Sequence, residues 1–139
     1  EITIMKRMER PADLKTQAVL TPEKIMELRG LVNDIFVDDK LYDYIANLVF
    51  ATRSPELFNL KDLKNLIEYG ASPRASINLV KAAKAQAFLS GRGYVTPQDI
   101  KTIGHDVMRH RLLVSYEAEA QDLTSDDILV RIFDKIDVP

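Results

Sequence analysis

Apolar residues recur every three to four positions along most of this chain, and the segments they define start and stop at helix-capping residues. In LTPEKIMELRGLVNDIF, Thr21 stands as N-cap and Pro22 as first helical residue, with Ile25, Leu28, Val32 and Ile35 on one stripe. VDDKLYDYIANLVFATRS starts at Asp38 or Asp39. Its Leu41, Tyr44, Ile45, Leu48 and Val49 follow the i, i+3, i+4, i+7, i+8 spacing of a core-facing helix. Ser72 and Pro73 open an alanine-dense helix over 73–90, which Gly91 ends at the C′ position. Ile77, Val80 and Phe88 are its expected core contacts. YVTPQDIKTIGHDVMRH restarts with Thr96, Pro97 and Asp99, a capping-box variant. A last helix follows Thr124 and carries Ile128, Leu129, Ile132, Phe133 and Ile136.

The remaining segments are less periodic. Residues 1–9 read as the end of a helix that stops near Pro11, and ADLKTQAV reads as a linker. NLKDLKNLIEYG, with leucines at 60, 63 and 66, suits a short helical or wrapped segment before Gly70. RLLVSY (111–116) is a candidate extended segment, and the acidic stretch Glu117–Asp127 is expected to be a solvated loop. The pattern predicts an all-α protein, a small bundle of five to six helices, with at most one pair of short strands around 35–37 and 111–116. The expected division is a helix tail and linker over 1–15 and a helical domain over 16–139.

A chain of 139 residues is long enough for one core. Its 46% hydrophobic and 29% charged residues are ordinary for a globular protein, and a net charge of −2 offers nothing global to nucleic acid or to an anionic membrane. No apolar run reaches the length of a membrane span, and no signal-peptide pattern opens the chain. Cysteine is absent, which removes disulfides and thiol chemistry and accords with a reducing cytoplasm. The first residue is Glu rather than Met, so the reading is a processed N-terminus or a piece of a longer protein.

Most recognised chemistry is missing. The five glycines (30, 70, 91, 93 and 104) are wrongly spaced for a G-x-x-x-x-G-K-[ST] phosphate loop, and neither H-E-x-x-H nor G-x-S-x-G occurs. His105 and His110 do not share a helical face and make a poor metal pair. Asp38-Asp39 and Asp126-Asp127 sit at helix starts and read as caps. Gly91-Arg92-Gly93 reads as a helix stop and turn. Arg109-His110-Arg111 reads as a solvated helix end, where cations suit the negative pole of the dipole.

Arg74 fits this bland picture worst. Directly after Ser72-Pro73 it places a positive charge at the positive end of a helix dipole, at a cost of about 0.3–1 kcal/mol on a surface helix. With Asn78 and Lys81 it forms a polar stripe. Two explanations are open: the side chain reaches water or Glu68, or an anion docks where guanidinium, dipole and free amides converge.

The stretch EYGASPRASINLVKAAKAQAFLSGRGYVTPQDIKTIGHDVMRHRL, residues 68–112, resembles the C-terminal lid of the MoxR family of AAA+ ATPases. The shared pattern is G-A-S-P-R-A, an alanine-rich helix, G-R-x-Y-V-x-P-x-D and a helix ending H-R. YIANLVFATR (44–53) and the closing DKIDVP are similar as well. The resemblance implies a helical lid following a nucleotide-binding core. It also implies that Arg74 is the sensor-2 arginine, which reaches the γ-phosphate of ATP, with Ser72 and Pro73 at the helix start beside the phosphates. It further implies ATP and Mg²⁺ as cofactors of the full-length protein, with none bound to the lid alone. Its implied partners are the protein's own core and the neighbouring subunits of a hexameric ring. Proteins with von Willebrand factor A domains would join them in chaperone-like remodelling or maturation of client proteins; neither nucleic acid nor membrane insertion is implied. The phosphate loop, Walker B carboxylates, sensor 1 and arginine finger all lie outside these residues, so no catalytic residue is expected here. The rival reading is a free-standing helical interaction module, less readily a DNA-binding one, in which Ser72-Pro73-Arg74 merely starts a helix.

The purified chain should therefore bind ATP weakly or not at all, and release no phosphate from it. Mg²⁺-dependent phosphate release that survives further purification would contradict this.

Overall fold

The computed structural model describes residues 1–9 and 17–139, so the expected linker ADLKTQAV (12–19) lies outside the described residues over 12–16. Among them are seven α-helices: α1 (Ile2–Met8), α2 (Pro22–Asn33), α3 (Asp39–Ala51), α4 (Pro73–Leu89), α5 (Pro97–Met108), α6 (Tyr116–Ala120) and α7 (Ser125–Lys135). Two strands, β1 (Ile67–Tyr69) and β2 (Leu113–Val114), pair antiparallel. The all-α bundle with one short strand pair is thus the observed architecture.

The N-caps Thr21, Asp38, Thr96 and Thr124 stand where the sequence places them. Thr21 Oγ1 accepts the Lys24 amide at 3.2 Å, and Asp38 Oδ1 accepts the Lys40 amide at 2.9 Å. Thr96 with Asp99 and Thr124 with Asp127 close full capping boxes. Gly91 takes φ +71° after α4, the left-handed geometry that a non-glycine residue adopts at a cost.

Helix α4 is the central element, packed most extensively on α5 and also on α3 and α2. Its buried stripe is Ala75, Leu79, Ala83 and Ala87, all fully buried, a spacing of four that keeps small side chains on one line. Ile77 departs from expectation: it is 55% exposed, while Val80 and Phe88 are partly buried. Three alanines and Leu79, rather than Ile77, face the centre, and the small side chains let α5 approach closely. Around them pack Leu41, Tyr44, Ile45 and Leu48 of α3, Ile100 of α5, and Ile132 and Phe133 of α7. Helix α2 has no buried residue, so its expected stripe of Ile25, Leu28 and Val32 is at most partly covered.

Three further differences are local. β2 falls in the expected 111–116 stretch, but its partner is 67–69 rather than 35–37. Ser115 extends the pairing through its amide to the Leu66 carbonyl and its hydroxyl to the Asn65 carbonyl. Phe36 instead makes an isolated parallel bridge with Tyr94, bonding the Gly93 carbonyl at 3.0 Å and the Val95 amide at 2.9 Å. The acidic stretch after β2 contains α6, a single extra turn capped by Ser115, so it is not wholly a loop. Local propensity did not announce so short a helix.

Arg92 and Asp99 clamp the turn between α4 and α5. The guanidinium donates to both carboxylate oxygens at 2.7 and 2.6 Å, and the same carboxylate takes the Thr96 amide and hydroxyl, each at 2.8 Å. Asp99 is buried, and the Arg92 guanidinium holds its carboxyl below the usual range, helped by the Thr96 bonds and opposed by desolvation. Because the folded pKa lies below the unfolded value of about 3.9, the clamp's contribution is complete above that value. It is lost as pH falls through the folded pKa. Asp99→Ala should destabilise the chain by about 3 kcal/mol, and Asp99→Asn should flatten the loss of stability below about pH 4; urea unfolding at stepped pH measures both.

The start of helix α4 as candidate functional site

Three residues, Ala71 to Pro73, lead into the helix that carries Arg74, and a buried threonine holds their near end. Thr52, the C-cap of α3, is fully buried. Its hydroxyl donates to the Val49 carbonyl at 2.7 Å and accepts the Ala71 amide at 2.8 Å. Backbone meets backbone at this point: a Cβ on Gly70 would lie 2.3 Å from the Thr52 carbonyl oxygen and 2.7 Å from Arg53 Cγ. Only glycine fits there. On the far side, Ala75 is fully buried and its amide turns to the Ser72 carbonyl at 2.8 Å.

The first turn of α4 is left open toward anions. Ser72 has the extended backbone of an N-cap, but its hydroxyl makes no capping bond, and no acidic residue stands in the first turn. Pro73 has no amide hydrogen, and among the described residues no cap or loop acceptor takes the Arg74 amide, which is thus an open donor of this turn. Ser72, Pro73 and Arg74 are all exposed. Among the described residues, no ion pair joins Arg74 to Glu68, whereas Arg92, Arg109 and Arg131 each pair with a carboxylate. Of the stripe read from the sequence, Arg74 and Lys81 are exposed and Asn78 is half-buried. Beside it an open groove of about 510 Å³ between α3 and α4 is lined by Tyr42, Ile45, Ala46, Ile77 and Val80, with Lys81 and Lys84 at its rim. The site can hold one anionic group by charge and by backbone donation. No cluster of His, Asp or Glu able to hold a metal occurs among the described residues, so Mg²⁺ would need ligands from outside them.

Other candidates take structural roles. His105 bonds Asp126 at 3.0 Å and stacks on Phe133 with ring centroids 5.2 Å apart. Asp126 therefore receives His105 and, at 3.5 Å, Arg109, and is no cap, whereas Asp127 is. Arg109 and Arg111 donate to the carbonyls of His105 and Val107, which suits the end of α5. Sequence reasoning missed Thr52, whose burial only the fold reveals. It also missed Arg53, exposed beside Gly70, with its guanidinium 5.4 Å from the Phe50 ring centroid. The available signal was a polar residue ending an otherwise apolar helix face, in ATR.

Comparison with known proteins follows this geometry. The family model described as AAA lid domain matches residues 61–132. The chain is 35% identical over 125 residues to "Chaperone MoxR1" of Mycobacterium tuberculosis, covering 90% of this chain and 33% of that protein. It is 36% identical over 100 residues to "Protein MoxR" of Paracoccus denitrificans, covering 68% and 30% respectively. A crystal structure of a candidate ATPase from Cytophaga hutchinsonii superposes with a TM-score of 0.92 at 36% identity, covering 99% of this chain and 42% of that one. The chain thus spans about a third of the length of these curated relatives.

Gly70→Ala should destabilise the chain by about 1–3 kcal/mol, because the new methyl must displace backbone rather than a flexible side chain. Chemical denaturation measures it, and an unchanged midpoint would mean that the Thr52–Gly70 approach is looser than described.

Proposed function

The chain belongs to the AAA lid domain family and matches the C-terminal lid of MoxR-type AAA+ ATPases, and from that premise we propose that it senses bound nucleotide through Arg74. The observation that supports this is an exposed arginine at an uncapped, acid-free helix start whose backbone is held on both sides. By itself the guanidinium opposes the helix dipole. With a γ-phosphate present, guanidinium, dipole and the Arg74 amide all favour the same charge. Ser72 and Pro73 stand beside that phosphate and keep the first turn clear of competing donors and acids.

ATP supplies the anion and Mg²⁺ neutralises part of its charge; the nucleotide's loop and the metal's ligands come from the core of the parent protein. This chain supplies one charge-assisted contact, worth about 1.5–3 kcal/mol, which exceeds the dipole penalty. Closing on ATP and opening after hydrolysis, the lid passes nucleotide state to neighbouring subunits of a hexameric ring. That motion drives chaperone-like remodelling of client proteins, with von Willebrand factor A domain proteins as partners, in the cytoplasm. The described residues contain no helix long and apolar enough to cross a membrane.

Arg74→Ala should leave the stability of the chain within about 0.5 kcal/mol, because the side chain is exposed and no ion pair or side-chain hydrogen bond among the described residues is lost. In the intact ATPase it should lower hydrolysis about 10- to 100-fold, as expected for one lost charge-assisted bond. Thermal unfolding of the chain and steady-state hydrolysis by the parent protein test this together. Normal hydrolysis by a well-folded variant would take the sensor role from Arg74.

A further inference from the structure

We propose that Thr52 is a positioning residue for Arg74, setting through one buried hydrogen bond the direction in which α4 begins. The proposal rests on the sensor reading of Arg74 above. Arg74 lies between two anchored backbone positions: the Ala71 amide, held by Thr52 Oγ1 at 2.8 Å, and Ala75, fully buried in the core. Removing either anchor frees the link, since Ser72 makes no side-chain cap that would hold it independently. Thr52 is suited to the task because its hydroxyl is fully buried and its one proton is committed. It donates to Val49 and so presents a lone pair to Ala71 with no freedom to rotate away. Gly70 lets the two backbones come close enough for that bond. The link therefore registers the end of α3 against the start of α4.

A guanidinium that must meet a phosphate tolerates little error. Productive geometry is held within about 0.5 Å, and a displacement of about 1 Å costs on the order of 10²-fold in rate. Thr52 touches neither nucleotide nor reacting atoms and acts only through the backbone of the link. Loss of its hydroxyl orphans the Ala71 amide and lets the first turn of α4 move while Leu79, Ala83 and Ala87 keep the rest of the helix in the core.

The test is a double-mutant cycle in the intact ATPase with ATP as the probe, using Thr52→Val, Thr52→Ser and Arg74→Ala. Thr52→Val should lower kcat about tenfold, and Thr52→Ser, which keeps the hydroxyl, should restore it. In the Arg74→Ala background, Thr52→Val should change nothing further. In the chain alone, hydrogen exchange at the Ala71 amide should quicken in Thr52→Val and not in Thr52→Ser, with circular dichroism showing both folded. An equal drop in kcat with and without Arg74, or failure of Thr52→Ser to rescue a folded enzyme, overturns the positioning role while leaving the sensor reading intact. An Arg74→Ala enzyme of normal activity overturns both.

Discussion

Close approach along one face of α4 is the constraint on which the rest of the structure depends. Three alanines and a leucine at intervals of four present a narrow, nearly flat seam, and α5 lies against it. Interiors packed at crystal-like density leave no slack for a larger side chain on such a seam. The bulk that fills the core comes from the surrounding elements: Ile45 and Leu48 of α3, Ile100 and Met108 of α5, Ile128, Leu129 and Ile132 of α7. Because this seam of three alanines and Leu79 takes up the buried face, Ile77 falls off it and lies exposed in the groove shared with α3.

Both ends of α4 are pinned by polar groups, and the two pins differ in kind. At the C-terminal end Arg92 and Asp99 form a charged clamp in which every donor and acceptor named above is matched. At the N-terminal end a single neutral hydroxyl holds a backbone amide. Between the pins lie the buried positions Ala75, Leu79, Ala83 and Ala87, while the side chain of Arg74 is exposed. Two arginines near the ends of the same helix thus have opposite fates. Arg92 is largely covered and committed to a carboxylate, whereas Arg74 is exposed with no carboxylate in its turn. Burial, rather than residue type, separates the cation committed to a carboxylate from the exposed one.

The sequence by itself determined the longer helices and the places where they start. Thr21, Asp38, Thr96 and Thr124 act through local hydrogen bonds, and Pro22, Pro73 and Pro97 through fixed backbone angles, which need no tertiary partner. The alternation of apolar residues in α3 and α7 was equally legible, because each of those helices buries a single broad stripe. Arg74 could be singled out because its conflict with the helix dipole is local too. Tertiary structure decided what depends on approach between distant segments. It chose 67–69 rather than 35–37 as the partner of 113–114, since strand pairing follows from which backbones the helices bring together. It turned Ile77 outward, because the alanine seam, and not hydrophobicity alone, governs what α4 can bury. It buried Thr52 against Ala71, nineteen residues on, and required a glycine at 70, since a buried bond between the end of one helix and the start of another exists only when both have docked.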